Sequence, residues 1–261
     1  MHKFKLTIEY DGTNYSGWQR QTNAKSIQDT LTKTAEKLLN TDVVIQGAGR
    51  TDAGVHALAQ VAHLATPKTV HLISRQILEG MNDLLPANIN ILKVEEVPAD
   101  FHARHDAVMR SYIYLLSKKR TAFGKKYVWW VKDSLDIKKM RDIMALFRGF
   151  HDFASFADKR RDKEISTTVQ LHSLELQQSD DLIIFRIVGS HFLWKMVRRM
   201  MGILVEAGRG NLARLEIEKM LTHASDIPAK FTAPPSGLFL EQVLYKGDKL
   251  KPPRLPLPLF L

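Results

Sequence analysis

The stretch "SYIYLLS", Ser111–Ser117, decides the fold because it begins a second copy of an element order that the chain has already completed once. Its pattern predicts a strand. The first copy, in the order β-α-β-β-α-β, comprises strand Lys3–Tyr10, helix Ser26–Asn40, strands Val43–Gly47 and Gln60–Ala65, helix Leu72–Leu84 and strand Ile89–Val94. In the first of these helices, Ser26 is a candidate N-cap with Asp29 three residues on.

The second copy follows the same order. After Ser111–Ser117 come helix Asp136–Phe147, strands Val169–Leu176 and Leu182–Val188, helix Phe192–Ala207 ended by Gly208, a further helix Leu212–Leu221 and strand Leu238–Leu244. Two such units predict an α+β fold of two ferredoxin-like halves, each an antiparallel sheet with helices on one side. The predicted halves are residues 1–104 and 105–261, and the last strand belongs to the second half.

Composition narrows the function. The chain has 261 residues, no cysteine and a net charge of +10. The lack of cysteine excludes disulfides, thiolate nucleophiles and sulfur-ligated metal sites. The positive charge favours a polyanionic partner such as nucleic acid, with solubility as the alternative. No stretch resembles a signal peptide or a membrane span, which predicts a cytoplasmic protein without membrane association.

The stretch "GAGRTDAGVHALAQVAHL", Gly47–Leu64, carries the candidate chemistry. Its glycine spacing fails the dinucleotide fingerprint, and too few ligands lie near Asp52 for a metal site. What remains is a tight turn between two strands that lifts Asp52 into solvent, with Arg50 nearby to hold it ionised. A plain hairpin loop with an exposed ion pair is the alternative.

Six segments together carry a family resemblance. They are Gly47–Leu64 itself, "EYDGTNYSGWQRQ" (Glu9–Gln21) followed by "SIQDTL", "DFHARHDAVMRSYIYLL" (Asp100–Leu116), "GFHDFASF" (Gly149–Phe156), "FLWKMVRRMMGILVEAGRG" (Phe192–Gly210) and "APPSGLFLEQVLY" (Ala233–Tyr245). In this order they resemble the tRNA pseudouridine synthase A family over essentially the whole chain. The tail "KPPRLPLPLFL" is also similar.

The resemblance implies an enzyme that isomerises uridine to pseudouridine at positions 38–40 of the tRNA anticodon stem-loop. It implies a homodimer that needs no cofactor and no metal. It also implies that the two ferredoxin-like halves form one extended antiparallel sheet, with a positive cleft between them.

Site residues follow from the matching motifs. Asp52 is the expected catalytic carboxylate, acting as a nucleophile or assisting departure of uracil. Arg50 matches the arginine that assists base flipping, or else contacts a phosphate. Tyr112 matches the tyrosine whose ring stacks on uracil and whose hydroxyl takes the C5 proton. Tyr114 is read as a packed strand residue.

Three further positions complete the expected set. Arg198 matches the arginine that pairs with the catalytic aspartate. Leu238 matches a wall of the uracil pocket, with ordinary strand packing as the alternative, and Phe239 is treated in the same way. Arg104 is an expected RNA contact. Neighbouring Arg199 is expected at the surface or on RNA, and Met196, Met200 and Ile203 in the core.

Two basic segments, Lys118–Lys126 and Asp158–Lys163, are candidates for phosphate contacts or for solvated loops. The sequence departs from the family pattern at Glu164–Leu174, which has threonines where an arginine is expected, and at Trp194 and Lys195. Two alternatives to the tRNA enzyme stay open: a synthase that acts on another RNA, and an RNA chaperone without chemistry.

Overall fold

The computed structural model describes residues 1–68, 71, 73–159, 166–179 and 181–256, and its mixture of helices and strands confirms the α+β class. In chain order the elements are β1 (His2–Tyr10), α1 (Ile27–Leu39), β2 (Val44–Gly47), β3 (His56–Thr66), α2 (Ser74–Leu84), β4 (Ile89–Val97), β5 (Ala107–Ser117), β6 (Trp129–Trp130), α3 (Ile137–Phe147), β7 (Gly149–Asp152), β8 (Thr168–Ser179), β9 (Leu182–Gly189), α4 (Met196–Arg209), α5 (Arg214–Thr222), α6 (Ile227–Lys230) and β10 (Leu238–Tyr245). Within this part of the chain, no helix is long and apolar enough to cross a membrane.

The chain divides into two compact units. The first unit comprises Met1–Val108 together with the C-terminal segment that begins at Phe239, and the second is Met109–Leu238. This division differs from the predicted halves 1–104 and 105–261, because nearly all of β10 lies with the N-terminal segment. The physical reason is backbone pairing: Phe239 and Leu240 of β10 pair in parallel with His56 and Ala57 of β3.

The first unit is built on the long strand β3. β1 pairs antiparallel with β3 on one side and with β4 on the other. The opposite side of β3 is shared, because β2 pairs with Ala62–Ala65 near its end and β10 pairs with its start. β3 is longer than the predicted Gln60–Ala65, and its first residues follow the Asp52 loop directly.

Helix α1 confirms the predicted cap and apolar face. The Ser26 hydroxyl accepts a hydrogen bond from the Asp29 amide at 3.2 Å, which satisfies one of the free amides at the helix start. Leu31 and Ala35 are fully buried. The helix ends at Asn40, whose left-handed backbone (φ 50°) stops it.

The second unit has the strand order β5-β9-β8-β7, antiparallel throughout, with β6 added in parallel beside β5. Helix α3 packs against α4 and β8. Phe147, Phe153 and Phe156 form a buried aromatic cluster with centroids 5.4–6.3 Å apart. The predicted helix α3 and the strands β8 and β9 are confirmed with small changes at their ends.

The predicted limits of the next helix, Phe192–Ala207 ended by Gly208, are wrong. Helix α4 begins after Lys195, whose left-handed backbone (φ 64°) does not fit a right-handed helix. The helix runs through Gly208 to Arg209. Gly210 ends it with φ 83°, and its amide donates to carbonyls of the last turn. Gly208 faces Met140 of α3 instead of terminating the helix.

Substitution by alanine at two glycines of α4 should have different effects on stability. A Cβ at Gly202 would overlap the Phe231 carbonyl oxygen, which belongs to backbone and cannot move aside alone. A Cβ at Gly208 would lie 2.9 Å from Cγ and Sδ of Met140, a flexible side chain. We expect Gly202→Ala to destabilise the protein by about 1–3 kcal/mol. We expect Gly208→Ala to stay within about 1 kcal/mol of wild type, because alanine also favours the helix. Chemical unfolding of both variants measures this difference, and equal losses would contradict it.

Candidate active site

The predicted Asp52 loop lies between β2 and β3, as the sequence indicated. The turn is closed by a hydrogen bond from the Val55 amide to the Asp52 carbonyl at 3.1 Å. Gly54 has φ 76°, a conformation that favours glycine. Asp52 is half-buried instead of fully exposed, so the description of a turn that lifts the carboxylate into solvent is only partly correct.

A second segment, Asp11–Trp18, is hydrogen-bonded to the backbone of this loop. The Trp18 amide donates to the Thr51 carbonyl at 3.0 Å, and the Gly54 amide donates to the Tyr15 carbonyl at 3.3 Å. The Thr51 hydroxyl also bonds the Tyr10 hydroxyl at 2.7 Å. Residues on both sides of Asp52 are therefore fixed to another part of the unit, which limits the positions its carboxylate can take.

Glycines in the second segment allow this close approach. A Cβ at Gly12 would overlap the Val55 carbonyl oxygen, and one at Gly17 would lie 2.5 Å from the Thr51 carbonyl oxygen. Gly17 also has φ 94°. Sequence reasoning missed the role of these two glycines, although both lie in the quoted segment Glu9–Gln21. By contrast, a Cβ at Gly49 would meet nothing within 4 Å.

His56 supports the loop from the start of β3. Its ring is buried and stacks on Phe239 with centroids 4.7 Å apart. Its Nδ1 lies 3.1 Å from both the Asp11 carboxylate and the Gly12 amide. The Gly12 amide donates to this nitrogen. The contact with His56 lowers the pKa of Asp11 below its ordinary range, while burial opposes that shift. His56 is thus a supporting residue that sequence reasoning did not select.

Arg50, two residues before Asp52 in the loop, is exposed. The Gly49 carbonyl beside it accepts from the Gln60 amide group at 3.0 Å, so the backbone before Arg50 is fixed while its side chain extends into solvent.

Arg104 is also exposed, on a short segment fastened to the same unit. The Ala103 amide donates to His63 Nδ1 at 3.1 Å, and the Ala103 carbonyl accepts from the Tyr245 hydroxyl at 2.8 Å. Lys3 donates to the Phe101 carbonyl at 2.8 Å. The backbone that presents Arg104 is therefore well fixed.

The second unit carries the two tyrosines of β5. Tyr112 is largely buried, and its ring meets Phe192 edge to face at 5.0 Å. Tyr114 is fully buried and donates its hydroxyl to the Pro234 carbonyl at 2.8 Å. Burial raises the pKa of Tyr114 well above its ordinary value. Its packed environment agrees with the structural role expected for it.

Arg198 on α4 is hydrogen-bonded to Ala233, and the chain leads from Ala233 to Leu238 within the second unit. Arg198 Nε donates to the Ala233 carbonyl at 2.8 Å, and the Ala233 amide donates back to the Arg198 carbonyl at 3.0 Å. Leu238 is buried at the start of β10. The bonds at Ala233 fix the plane of the Arg198 guanidinium and the path of the chain toward Leu238.

Arg199 does not lie at the surface as expected. It is buried, and its guanidinium donates to the carbonyls of Ser155 and Ala157, so its role is to hold the chain around the short helical turn at Ala154–Phe156. The predicted core residues Met196, Met200 and Ile203 are fully buried, as expected.

The structure describes all of one basic segment that is a candidate for RNA contacts and only part of the other. Most of Lys118–Lys126 is exposed. In Asp158–Lys163 only the first two residues lie within the described chain, and Asp158 is buried and paired with Lys195 at 2.8 Å. Residues 257–261 of the C-terminal tail lie outside the described chain. Among the described residues, no group of three or more histidines and acids is arranged to hold a metal ion.

Comparison with known proteins gives one consistent result. The family described as tRNA pseudouridine synthase matches residues 6–106 and 143–246. A protein of Exiguobacterium sibiricum named tRNA pseudouridine synthase A is 39% identical over 95% of this chain and 99% of its own length. Proteins of the same name from Thermodesulfovibrio yellowstonii and Citrifermentans bemidjiense are 38% and 40% identical, each over 94% of this chain and over 100% and 98% of their own lengths.

The close approach of the two segments predicts a sharp response to one methyl group. We expect Gly12→Ala to destabilise the protein by about 1–3 kcal/mol, because the added Cβ has to displace the Val55 carbonyl. Gly49→Ala, a matched change in the Asp52 loop itself, has open space and should stay within about 0.5 kcal/mol. Thermal or urea unfolding compares them, and equal stability of the two variants would refute the packing described.

Protonation of His63 predicts a loss of stability in acid. Burial and the neighbouring charge of His102 lower the pKa of His63 from 6.5 to about 4, with Lys3 adding to the effect and Asp106 opposing it. Between these two pKa values the unfolded chain binds more protons, so stability falls as pH falls from 6.5 toward 4. The loss should reach about 3 kcal/mol at pH 4.

His63→Gln keeps an acceptor for the Ala103 amide but does not titrate. Its unfolding free energy should therefore depend less on pH across this window than that of wild type. His71→Gln, at an exposed position, is the control and should keep the wild-type dependence. Identical pH dependence in wild type and His63→Gln, measured by urea unfolding at each pH, would rule out this assignment.

Proposed function

The chain belongs to the tRNA pseudouridine synthase family and is an isomerase of that class, and on this premise we propose that it converts uridine to pseudouridine in the anticodon stem-loop of tRNA, at positions 38–40. The observation that carries the proposal is the Asp52 loop. It presents one half-buried carboxylate on a backbone that is fixed on both sides of that residue. A nucleophile gains most from such prior orientation.

In the proposed reaction Asp52 acts as the nucleophile. The N1–C1′ bond of uridine breaks, the uracil turns, and C5 bonds to C1′ while C5 loses its proton and N1 gains one. Atoms and electrons balance without a redox partner. The attack of Asp52 at C1′ or at C6 and an elimination route that begins at C2′ are alternatives that the proposal leaves open.

Tyr112, Arg198 and Leu238 are the proposed contacts of the uracil and of the catalytic carboxylate. A ring held edge to face by Phe192 is suited to stacking on a base, and its hydroxyl is suited to receiving the C5 proton. The guanidinium of Arg198 is oriented by its bond to the Ala233 carbonyl, which suits recognition of a carboxylate. That it pairs with Asp52, and that Leu238 walls the uracil, stay predictions from the family resemblance.

Arg50 and Arg104 are the proposed RNA contacts in the first unit. A uridine stacked in RNA has to leave its stack before an enzyme can reach it. An exposed arginine two residues before Asp52 is suited to the space that the flipped base vacates. Arg104, on a fastened backbone, is suited to a phosphate.

The proposal extends to assembly and location. We propose that the protein is a cytoplasmic homodimer built of two ferredoxin-like halves with a positive cleft. These proposals rest on the family resemblance and the sequence pattern. The net charge of +10 supports a polyanionic partner.

The test is release of tritium from C5 of uridine in tRNA. We expect wild type to release tritium and Asp52→Asn to lose activity by more than about 10³-fold, because the amide is not a nucleophile. Asp83→Asn, an exposed position on α2, is the matched control and should keep full activity. Both variants should fold and bind tRNA as wild type does.

Mapping of pseudouridine in total RNA from a deletion strain, with and without the two variants, locates the modified positions. Loss at positions 38–40 of tRNA supports the proposal, whereas loss only in ribosomal RNA points to the alternative substrate. Full complementation by Asp52→Ala would overturn the proposed chemistry in favour of an RNA chaperone.

A further inference from the structure

The most exposed large apolar side chain among the described residues lies at the tip of a basic loop. Phe123 is 98% exposed. It belongs to the segment Lys118–Lys126, "KKRTAFGKK", which joins β5 to β6 and is called the basic loop from here on. Single exposed apolar side chains are common on protein surfaces, and the basic loop that carries this one sets it apart.

The base of this loop is firmly attached to the second unit. Strand β6 pairs with β5 through Leu116 and Trp129, and the Val131 amide donates to the Ser117 carbonyl at 3.0 Å. Trp129 packs edge to face on the buried Tyr114 with centroids 6.3 Å apart. Both ends of the loop are therefore held by the sheet.

The tip has a defined turn that presents the ring outward. The Thr121 hydroxyl oxygen accepts from the Phe123 amide at 3.3 Å, and the Tyr127 amide donates to the Gly124 carbonyl at 2.9 Å. Lower in the loop, the Ser117 hydroxyl donates to the Lys119 carbonyl at 2.6 Å. These bonds order the backbone on both sides of Phe123, and no other described residue covers its ring.

The charged residues of the basic loop all have the same sign. The nine residues of the basic loop include Lys118, Lys119, Arg120, Lys125 and Lys126 and no acid. The guanidinium of Arg120 lies over the ring of Trp130, 5.7 Å from its centroid. The Asp181 carbonyl, just before β9, accepts a hydrogen bond from the Lys118 amide at 2.8 Å at the base of the loop.

From this geometry we infer that Phe123 stacks on an accessible nucleobase of the RNA substrate while the cations of the basic loop bind the flanking phosphates. A single aromatic ring surrounded by cations matches the way proteins bind RNA through base stacking and backbone charge. A protein partner would need a contiguous, mostly uncharged patch, which this loop does not offer. The inference rests on the proposed function, because it names a contact to the same substrate.

The test compares four variants of the full chain in binding to an unmodified tRNA transcript and in tritium release. They are Phe123→Ala, Phe123→Leu, Phe123→Tyr and the control Phe150→Ala, which removes an equally large ring that is 68% exposed on β7. We expect Phe123→Ala and Phe123→Leu to weaken tRNA binding about 5- to 30-fold, as expected for loss of one stacked base. KM should rise by a similar factor, and kcat at saturating tRNA should stay unchanged.

Further readouts separate stacking from charge and from simple packing. Phe123→Tyr keeps the ring and should bind as wild type does, and so should Phe150→Ala. The dependence of binding on salt should keep its slope in Phe123→Ala, whereas Lys119→Ala should lower the slope by about one unit. Wild-type binding by Phe123→Ala, or by Phe123→Leu, would overturn the inference.

Two other outcomes have separate meanings. If wild type releases no tritium from tRNA, the proposed function fails, whatever Phe123 does. If wild type is active and Phe123→Ala changes only the oligomeric state in sedimentation, the tip contacts another copy of the chain and the inference fails alone.

Discussion

The contact between Gly12 and the Val55 carbonyl is the constraint on which the Asp52 loop depends. Two segments that are about forty residues apart in sequence approach so closely that there is no room for a Cβ at Gly12. Their backbones then exchange hydrogen bonds on both sides of Asp52. His56, held by Asp11 and stacked on Phe239, supports the same contact from β3. This backbone packing holds the carboxylate of Asp52 in its half-buried position.

Elements with strong periodicity and local signals could be predicted from the sequence, and those whose ends depend on distant partners could not. Helix α1 has its cap and its apolar stripe within one segment, and the prediction is confirmed nearly to the residue. Strand β3 begins earlier than predicted because its first residues pair with β10, almost two hundred residues away. Helix α4 begins later than predicted. The apolar residues before it continue the helical spacing, but the left-handed backbone of Lys195 keeps them out of the helix.

The same limit applies to the site. Motifs could nominate Asp52 and Tyr112, since their residue types and neighbours are informative on their own. They assigned Arg198 to the carboxylate but wrongly expected Arg199 at the surface or on RNA, because only the packing shows which residue of a helix faces inward. The structure buries Arg199 against the carbonyls of Ser155 and Ala157 and orients Arg198 on Ala233. The role of Gly12 was hidden for a similar reason, since nothing in its neighbours names Val55 as its contact.

The described residues combine two kinds of order that suit two tasks. A reacting carboxylate has to be held within a fraction of an ångström, and the Asp52 loop meets that need with backbone hydrogen bonds and glycine contacts. Binding of a flexible polyanion tolerates more freedom, because the attraction between a lysine and a phosphate depends only weakly on geometry. The basic loop has a fixed base, an ordered turn and long cationic side chains in solvent. A ring at its tip adds a contact that depends on the shape of the RNA, which charge alone does not supply.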